Sequence, residues 1–148
     1  MAFRGSFDHT LDAKNRLTIP ARLRKPLGDG VVVSLQRDAP NCISIWCAGD
    51  FGPHVETLLE GIHPLSEDYG RIERFFNANS AELELDAAGR VMVPAKLLER
   101  AGLGKDVTVI GAGNRLEVWD REAWAQEDEQ LSSAVKEIGP GSAGGHTS

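Results

Sequence analysis

The stretch LDAKNRLTIPARL, Leu11 to Leu23, returns 74 positions later as LDAAGRVMVPAKL, Leu85 to Leu97. Leu, Asp, Ala, Arg, Pro, Ala and Leu recur at matching places. The likeness continues downstream with small changes in length. GVVVSLQ and DVTVIG are β-branched runs, RDAPN and AGN are polar turns, and CISIW and RLEVW follow, with Ile43, Ile45 and Trp46 answering to Leu116, Val118 and Trp119. Each half therefore reads strand, turn, strand, short helix, strand, hairpin, strand. Neither half exceeds about fifty residues, which is marginal for a free-standing core. Two such units are expected to bury their sheets against each other. The predicted class is α+β: a pseudo-two-fold β-barrel built from two internal repeats, with flanking helices.

Local chemistry gives the same order. Asp12 and Asp86 suit the first position of a tight turn, where a carboxylate accepts from backbone N–H groups further on. Three residues later stand Asn15 and Gly89, both tolerant of positive φ. RLTIP and RVMVP then read as short strands, and Pro20 and Pro94 begin short helices, where a missing N–H is no loss. The second helix is expected to stop at Gly102. The alternating pattern nominates Leu17, Ile19, Val32, Ile43, Ile45, Val91, Val93, Val107, Val109, Leu116 and Val118 as core. Between the halves, Val55, Leu58, Leu59 and Ile62 have helical spacing, Pro64 interrupts, and Ser66 caps a second helix bearing Tyr69, Ile72 and Phe76. Trp124, Leu131, Val135 and Ile138 form a last apolar stripe, and the tail GPGSAGGHTS is expected to be disordered. The segments are residues 3–50 (first repeat), 51–80 (helical connection), 81–124 (second repeat) and 125–148 (helix and tail).

Composition narrows the function. The 148 residues, 41% of them hydrophobic, can supply a core for one compact domain or two very small ones. No run approaches eighteen apolar residues, so no membrane span is expected, and MAFRGSFDHT lacks the apolar centre of a signal peptide. Cys42 and Cys47 have no third or fourth thiol and no close histidine, which argues for reduced, partly buried thiols; a redox pair is the other reading. His9, His54, His63 and His146 show no metal-ligand spacing, so no metal or cofactor is expected. A net charge of −6 argues, taken alone, against nucleic acid. The distribution argues otherwise. Met1 to Gly28 carries Arg4, Lys14, Arg16, Arg22, Arg24 and Lys25 against only Asp8 and Asp12, which is +4 by count. A basic patch on an acidic body still works as an anion-binding surface, because distant charges are screened. The other reading is a solvated rim.

FRGSFDHTLDAKNRLTIPARLR and AELELDAAGRVMVPAKLLERAGLGKDVTVIGAGNRLEVWDREAW together resemble the MraZ family, bacterial regulators with two AbrB-type swapped-hairpin domains. The resemblance covers roughly residues 3 to 126 and rests on paired Asp-x-x-x-Arg motifs in order. It implies a cytoplasmic, nucleoid-associated transcription factor that binds double-stranded DNA at repeated boxes ahead of the division and cell-wall gene cluster. It also implies a ring-shaped homo-oligomer, with no membrane and no small-molecule substrate. Two departures stand out. Asn15 replaces the family's usual Gly, and Ala88, Leu98 and Glu99 stand where the first repeat has Lys14, Arg24 and Lys25. The first repeat is therefore expected to dominate.

The candidate DNA-binding residues are Lys14, Arg16, Arg22, Arg24 and Arg90, and Asp12, Asn15, Asp86 and Gly89 are expected to structure the turns. Arginine offers a planar fork for phosphates or guanine edges, lysine a point charge. The competing role for Arg16 and Arg90 is a brace to Asp12 and Asp86 within each turn. The resemblance favours DNA for Arg16 and leaves Arg90 open. Trp46, Trp119 and Trp124 could stack on bases, but their apolar surroundings favour packing. Two other function classes compete: an antitoxin-like module of related fold that binds a protein, and a barrel enzyme using Asp12 and Asp86 as a carboxylate pair. No nucleophile–base set accompanies the aspartates, so no catalytic residue is nominated.

Overall fold

Each repeat starts as an edge strand, turns sharply at an aspartate, and runs into a three-residue strand that proline ends. The computed structural model describes residues 2–139, so the tail expected to be disordered lies, from residue 140 on, outside the described residues. The first repeat comprises β1 (Ser6–Thr10), β2 (Arg16–Thr18), α1 (Ala21–Leu27), β3 (Gly30–Leu35) and β4 (Cys42–Cys47). Helices α2 (Phe51–Leu59) and α3 (Glu67–Ala78) connect it to β5 (Ser80–Glu84), β6 (Arg90–Met92), α4 (Ala95–Arg100), β7 (Asp106–Gly111) and β8 (Leu116–Asp120). The helix α5 (Arg121–Lys136) follows. Pro20 and Pro94 are the N-caps of α1 and α4, and α4 ends just before Gly102, at φ +67°.

The hydrogen bonding is exchanged between the halves. Six strands form one antiparallel sheet in the order β1-β7-β8-β4-β3-β5, and β2 pairs with β6 in a separate ribbon. The first strand of each repeat is thus donated to the other repeat's hairpin: β1 runs along β7 with Phe7 opposite Val109, and β5 along β3 with Leu83 opposite Val31. Read from either edge, the sheet has the same pattern, so a pseudo-two-fold passes between β4 and β8 and through the ribbon.

The expected barrel does not close. β1 and β5 remain open edges, and the ribbon lies against the sheet as a separate layer. The reason is local. β1 spends its inner hydrogen-bonding groups on β7, and only two backbone bonds, Asp12 N to Arg16 O at 3.1 Å and Asn15 N to Asp12 O at 3.0 Å, close the turn to β2. β2 and β6 then have only three paired residues each before a proline without an N–H. What holds the ribbon down is burial. Leu17, Ile19, Val91 and Val93 are each at most 1% exposed. At roughly 1.5–3 kcal/mol per buried aliphatic side chain, they outweigh ribbon hydrogen bonds of about 1 kcal/mol net each.

The nominated core is buried throughout, with one reassignment. Val32 points to the opposite face of the sheet from Val31 and Val33, as the period of two demands, and packs with Trp46, Phe51, Val55 and Phe76 under α2 and α3. Ser66 caps α3, its side chain accepting from Tyr69 N at 3.3 Å. On the same sheet face, the buried Glu117 carboxylate accepts from Trp119 Nε1 at 3.0 Å and meets Arg115 Nη2 at 2.8 Å, which leaves no unpaired charge. Helix α5 packs near its start, through Ala123 and Trp124 on Trp119. Further along, Val135 is 59% exposed, and Ile138, just past the end of the helix, is 58% exposed.

Candidate nucleic-acid interface

The two turns are built alike, bond for bond. Asp12 Oδ1 accepts from Lys14 N and Arg16 N, each at 2.9 Å, and Asp86 Oδ1 accepts from Ala88 N and Arg90 N, each at 2.9 Å. The other carboxylate oxygens meet Arg16 Nε at 2.6 Å and Arg90 Nε at 2.8 Å. Asn15 N and Gly89 N donate back to the carbonyls of Asp12 and Asp86. Both turns close on a left-handed residue, Asn15 at φ 60° and Gly89 at φ 74°. Backbone N–H donation from Arg16, then its guanidinium and the Lys14 N–H, hold the Asp12 carboxyl down at about 2, and Asp86 is lowered for the same reasons. Both aspartates are therefore ionised, and both are engaged inside their own turns.

The intra-turn brace is thus real, but it does not consume the arginine. Only Nε is engaged at Arg16 and Arg90; among the described residues, their terminal nitrogens have no ion pair or hydrogen bond. A guanidinium held by Nε presents its two terminal nitrogens outward, the edge that can grip guanine or phosphate in a bidentate manner.

The ribbon assembles these groups on one face. Leu17 and Val91 point inward and are fully buried, so Arg16, Thr18, Arg90 and Met92 point outward. Arg16 stands opposite Met92 and Arg90 opposite Thr18, which makes the arginines diagonal neighbours. The turns lie at opposite ends of the ribbon and are stitched into it across the repeats: Ile19 N donates to Gly89 O and Val93 N to Asn15 O, each at 2.9 Å. Lys14 is exposed at the first turn's tip, and Ala88 occupies the second.

Helix α1 adds the remaining cations. Arg22 lies over the Phe7 ring, 4.9 Å from its centroid. Arg24 is half-buried and donates from Nε to Ile19 O at 2.8 Å. Thr18 and Met92 belong to the face although sequence reasoning did not nominate them; the same alternation that identified Leu17 and Val91 carries that signal. Arg4, whose carbonyl lies 3.4 Å from Arg22 Nη2, joins α1 only through the fold. The tryptophans stay off this face: Trp46 and Trp119 are buried on the helix-covered side of the sheet. Cys42 and Cys47 are free thiols whose pKa values burial raises. Among the described residues no cluster of three or more His, Cys, Asp or Glu could hold a metal ion, and no helix is long and apolar enough to cross a membrane.

A family model described as "MraZ protein, putative antitoxin-like" matches residues 2–62 and 76–137, one match over each repeat. The chain is 37% identical over 136 residues to a transcriptional regulator MraZ from Heliobacterium modesticaldum, covering 92% of this chain and 93% of the relative. It is 38% identical over 137 residues to the protein of the same name from Natranaerobius thermophilus, with the same coverage. A Mycoplasma mycoides relative, also named transcriptional regulator MraZ, is 35% identical over 127 residues, covering 86% and 93% of the two chains.

Proposed function

The chain belongs to the MraZ family, and from that membership we propose that it is a sequence-specific DNA-binding regulator of transcription, acting at the nucleoid in the cytoplasm. Its sites are repeated boxes upstream of the division and cell-wall gene cluster. The observation that carries the reading is the outward ribbon face with its two oriented arginines. A two-stranded ribbon fits the major groove, about 12 Å wide. Arg16 and Arg90 read base edges from it, while Lys14 meets phosphate at the first turn and Arg22 and Arg24, on α1, meet it toward the second. Phosphate contacts position the protein and base contacts specify the site.

The chain works as a ring-shaped homo-oligomer. Val135 of α5 and Ile138 just after it, which no part of the described chain covers, support association with further copies. Association also supplies what one small basic face lacks. A handful of phosphate contacts binds weakly and loses affinity steeply with salt. Joined copies turn later contacts into intramolecular events, raising avidity by about 10²–10⁴ when the box spacing fits.

Mobility-shift titration against DNA carrying one, two and three boxes from upstream of the chain's own gene, alongside size-exclusion chromatography, tests this. Affinity should climb with box number and fall with salt. Affinity indifferent to box number, or no preference over shuffled DNA, would refute it.

A further inference from the structure

Under the ribbon the two repeats hold their turns by different means. Leu11 N donates to Lys105 O at 2.8 Å and Leu85 N to Asp29 O at 2.9 Å, so Lys105 and Asp29 occupy pseudo-equivalent places, each beside the turn of the opposite repeat. Their side chains are opposite in kind. Lys105 Nζ donates to Asp12 O at 3.0 Å and to Asn15 Oδ1 at 2.9 Å. Asp29 brings no cation to the second turn, which packs against Arg24 of α1 instead. Arg24 lies across Gly89 so closely that any side chain added there would overlap its guanidinium. Helix α4 has only Leu98 at the position of Arg24. A cleft of about 270 Å³ lined by Asn15, Leu98, Glu99 and Lys105 stays open beneath the first turn. The first turn is thus tied by a cation of the other repeat, a flexible lysine beside an open cleft, whereas the second is only packed against Arg24, whose Nε donates to Ile19 O.

We infer that Lys105 is a positioning residue for DNA reading by the first turn: a cation from the second repeat fixes the carbonyl of Asp12 and the side chain of left-handed Asn15, and so the direction in which Lys14 and Arg16 leave the turn. The inference rests on the reading of the ribbon face as the DNA surface. Asn15 and Lys105 are a matched pair. A glycine would adopt the left-handed conformation with less strain but would offer no Oδ1. Asparagine accepts the strain and gains a hydrogen bond that selects one arrangement of the turn. Lys105 need not touch DNA to act.

The test uses the full-length protein, a duplex from upstream of its own gene, and a shuffled duplex of the same composition, over a series of salt concentrations. Lys105→Met keeps the stem and removes the donors; Lys105→Arg restores them. Lys105→Met should weaken binding to the upstream duplex about tenfold, within the ordinary range of coupling between sites. Affinity for the shuffled duplex and the salt slope should be unchanged, and Lys105→Arg should recover most of the loss. In an Asn15→Gly background the same substitution should cost less, since half of the tie is already gone. An equal loss on both duplexes with a salt slope smaller by about one would make Lys105 a phosphate contact and overturn the inference. Unchanged affinity would overturn it too. Wild-type protein that fails to distinguish the duplexes would instead bring down the DNA reading itself, before any substitution is made.

Discussion

Asn15 carries the one positive φ among the described non-glycine residues, at 60°. A β-branched side chain collides with its own backbone there, so Asn15→Val should destabilise the protein by about 1–2 kcal/mol, while Asn15→Gly should leave it folded. Denaturant titration decides it; equal midpoints for wild type and the valine variant would refute the strain argument. The neighbouring aspartates set an acid limit. The Asp12 carboxyl is held at about 2, and Asp86 is lowered as well. The unfolded chain therefore takes up protons first. The contribution of these turns is whole above about pH 4 and is lost as pH falls toward the folded values. An Asp12→Asn, Asp86→Asn variant should melt below wild type at pH 6, with the gap closing toward pH 2; a constant gap would contradict this. The arginines differ by their company. Arg16→Ala should abolish specific DNA binding with the oligomer intact. Arg90→Ala should cost less, because Ala88 stands at the second turn's tip where the first has Lys14. The reverse order in a titration would contradict the asymmetry.

The ribbon is the element on which the site depends, and its two faces should respond differently to truncation. Leu17 is 0% exposed and belongs to the central core, whereas Met92, on the outward face, is 57% exposed. Leu17→Ala should cost about 2–5 kcal/mol, and Met92→Ala should stay within about 0.5 kcal/mol. Chemical denaturation of both variants checks the pair; similar losses would mean that the ribbon is not held by its inward side chains. Alternation within RLTIP and RVMVP already indicated which residues face in and out. It could not indicate that these strands pair with each other, since Arg16 and its partner Met92 are far apart in the chain.

At the scale of the molecule, the exchange of strands makes each repeat incomplete alone. A fragment of residues 1–63 keeps β1, β3 and β4 but loses their partners β7, β5 and β8 respectively. It should show no cooperative thermal transition as a monomer at low concentration. A sharp, concentration-independent melt of that fragment, monomeric by size exclusion, would contradict mutual burial. The exchange also explains why the site is single. Both repeats contribute one strand to the ribbon, so two similar turns flank one face instead of forming two separate sites.

The sequence by itself determined the repeated order of elements, the turn chemistry of Asp12 and Asp86, the left-handed positions at Asn15 and Gly89, and the inward residues of each strand. All of these depend on interactions within a few residues: a carboxylate reaching the next N–H groups, a proline ending a strand, an alternation of period two. Tertiary structure decided the rest. It left the sheet open where a barrel was expected, because short, proline-ended strands could be buried against the sheet without bonding to its edges. It turned Val32 toward the helices and left Val135, late in α5, exposed. It also brought Lys105 to Asn15 and Arg24 to Gly89. Those contacts join residues far apart in the chain, and no local pattern records them, because a cation's partner is set by where the fold delivers it.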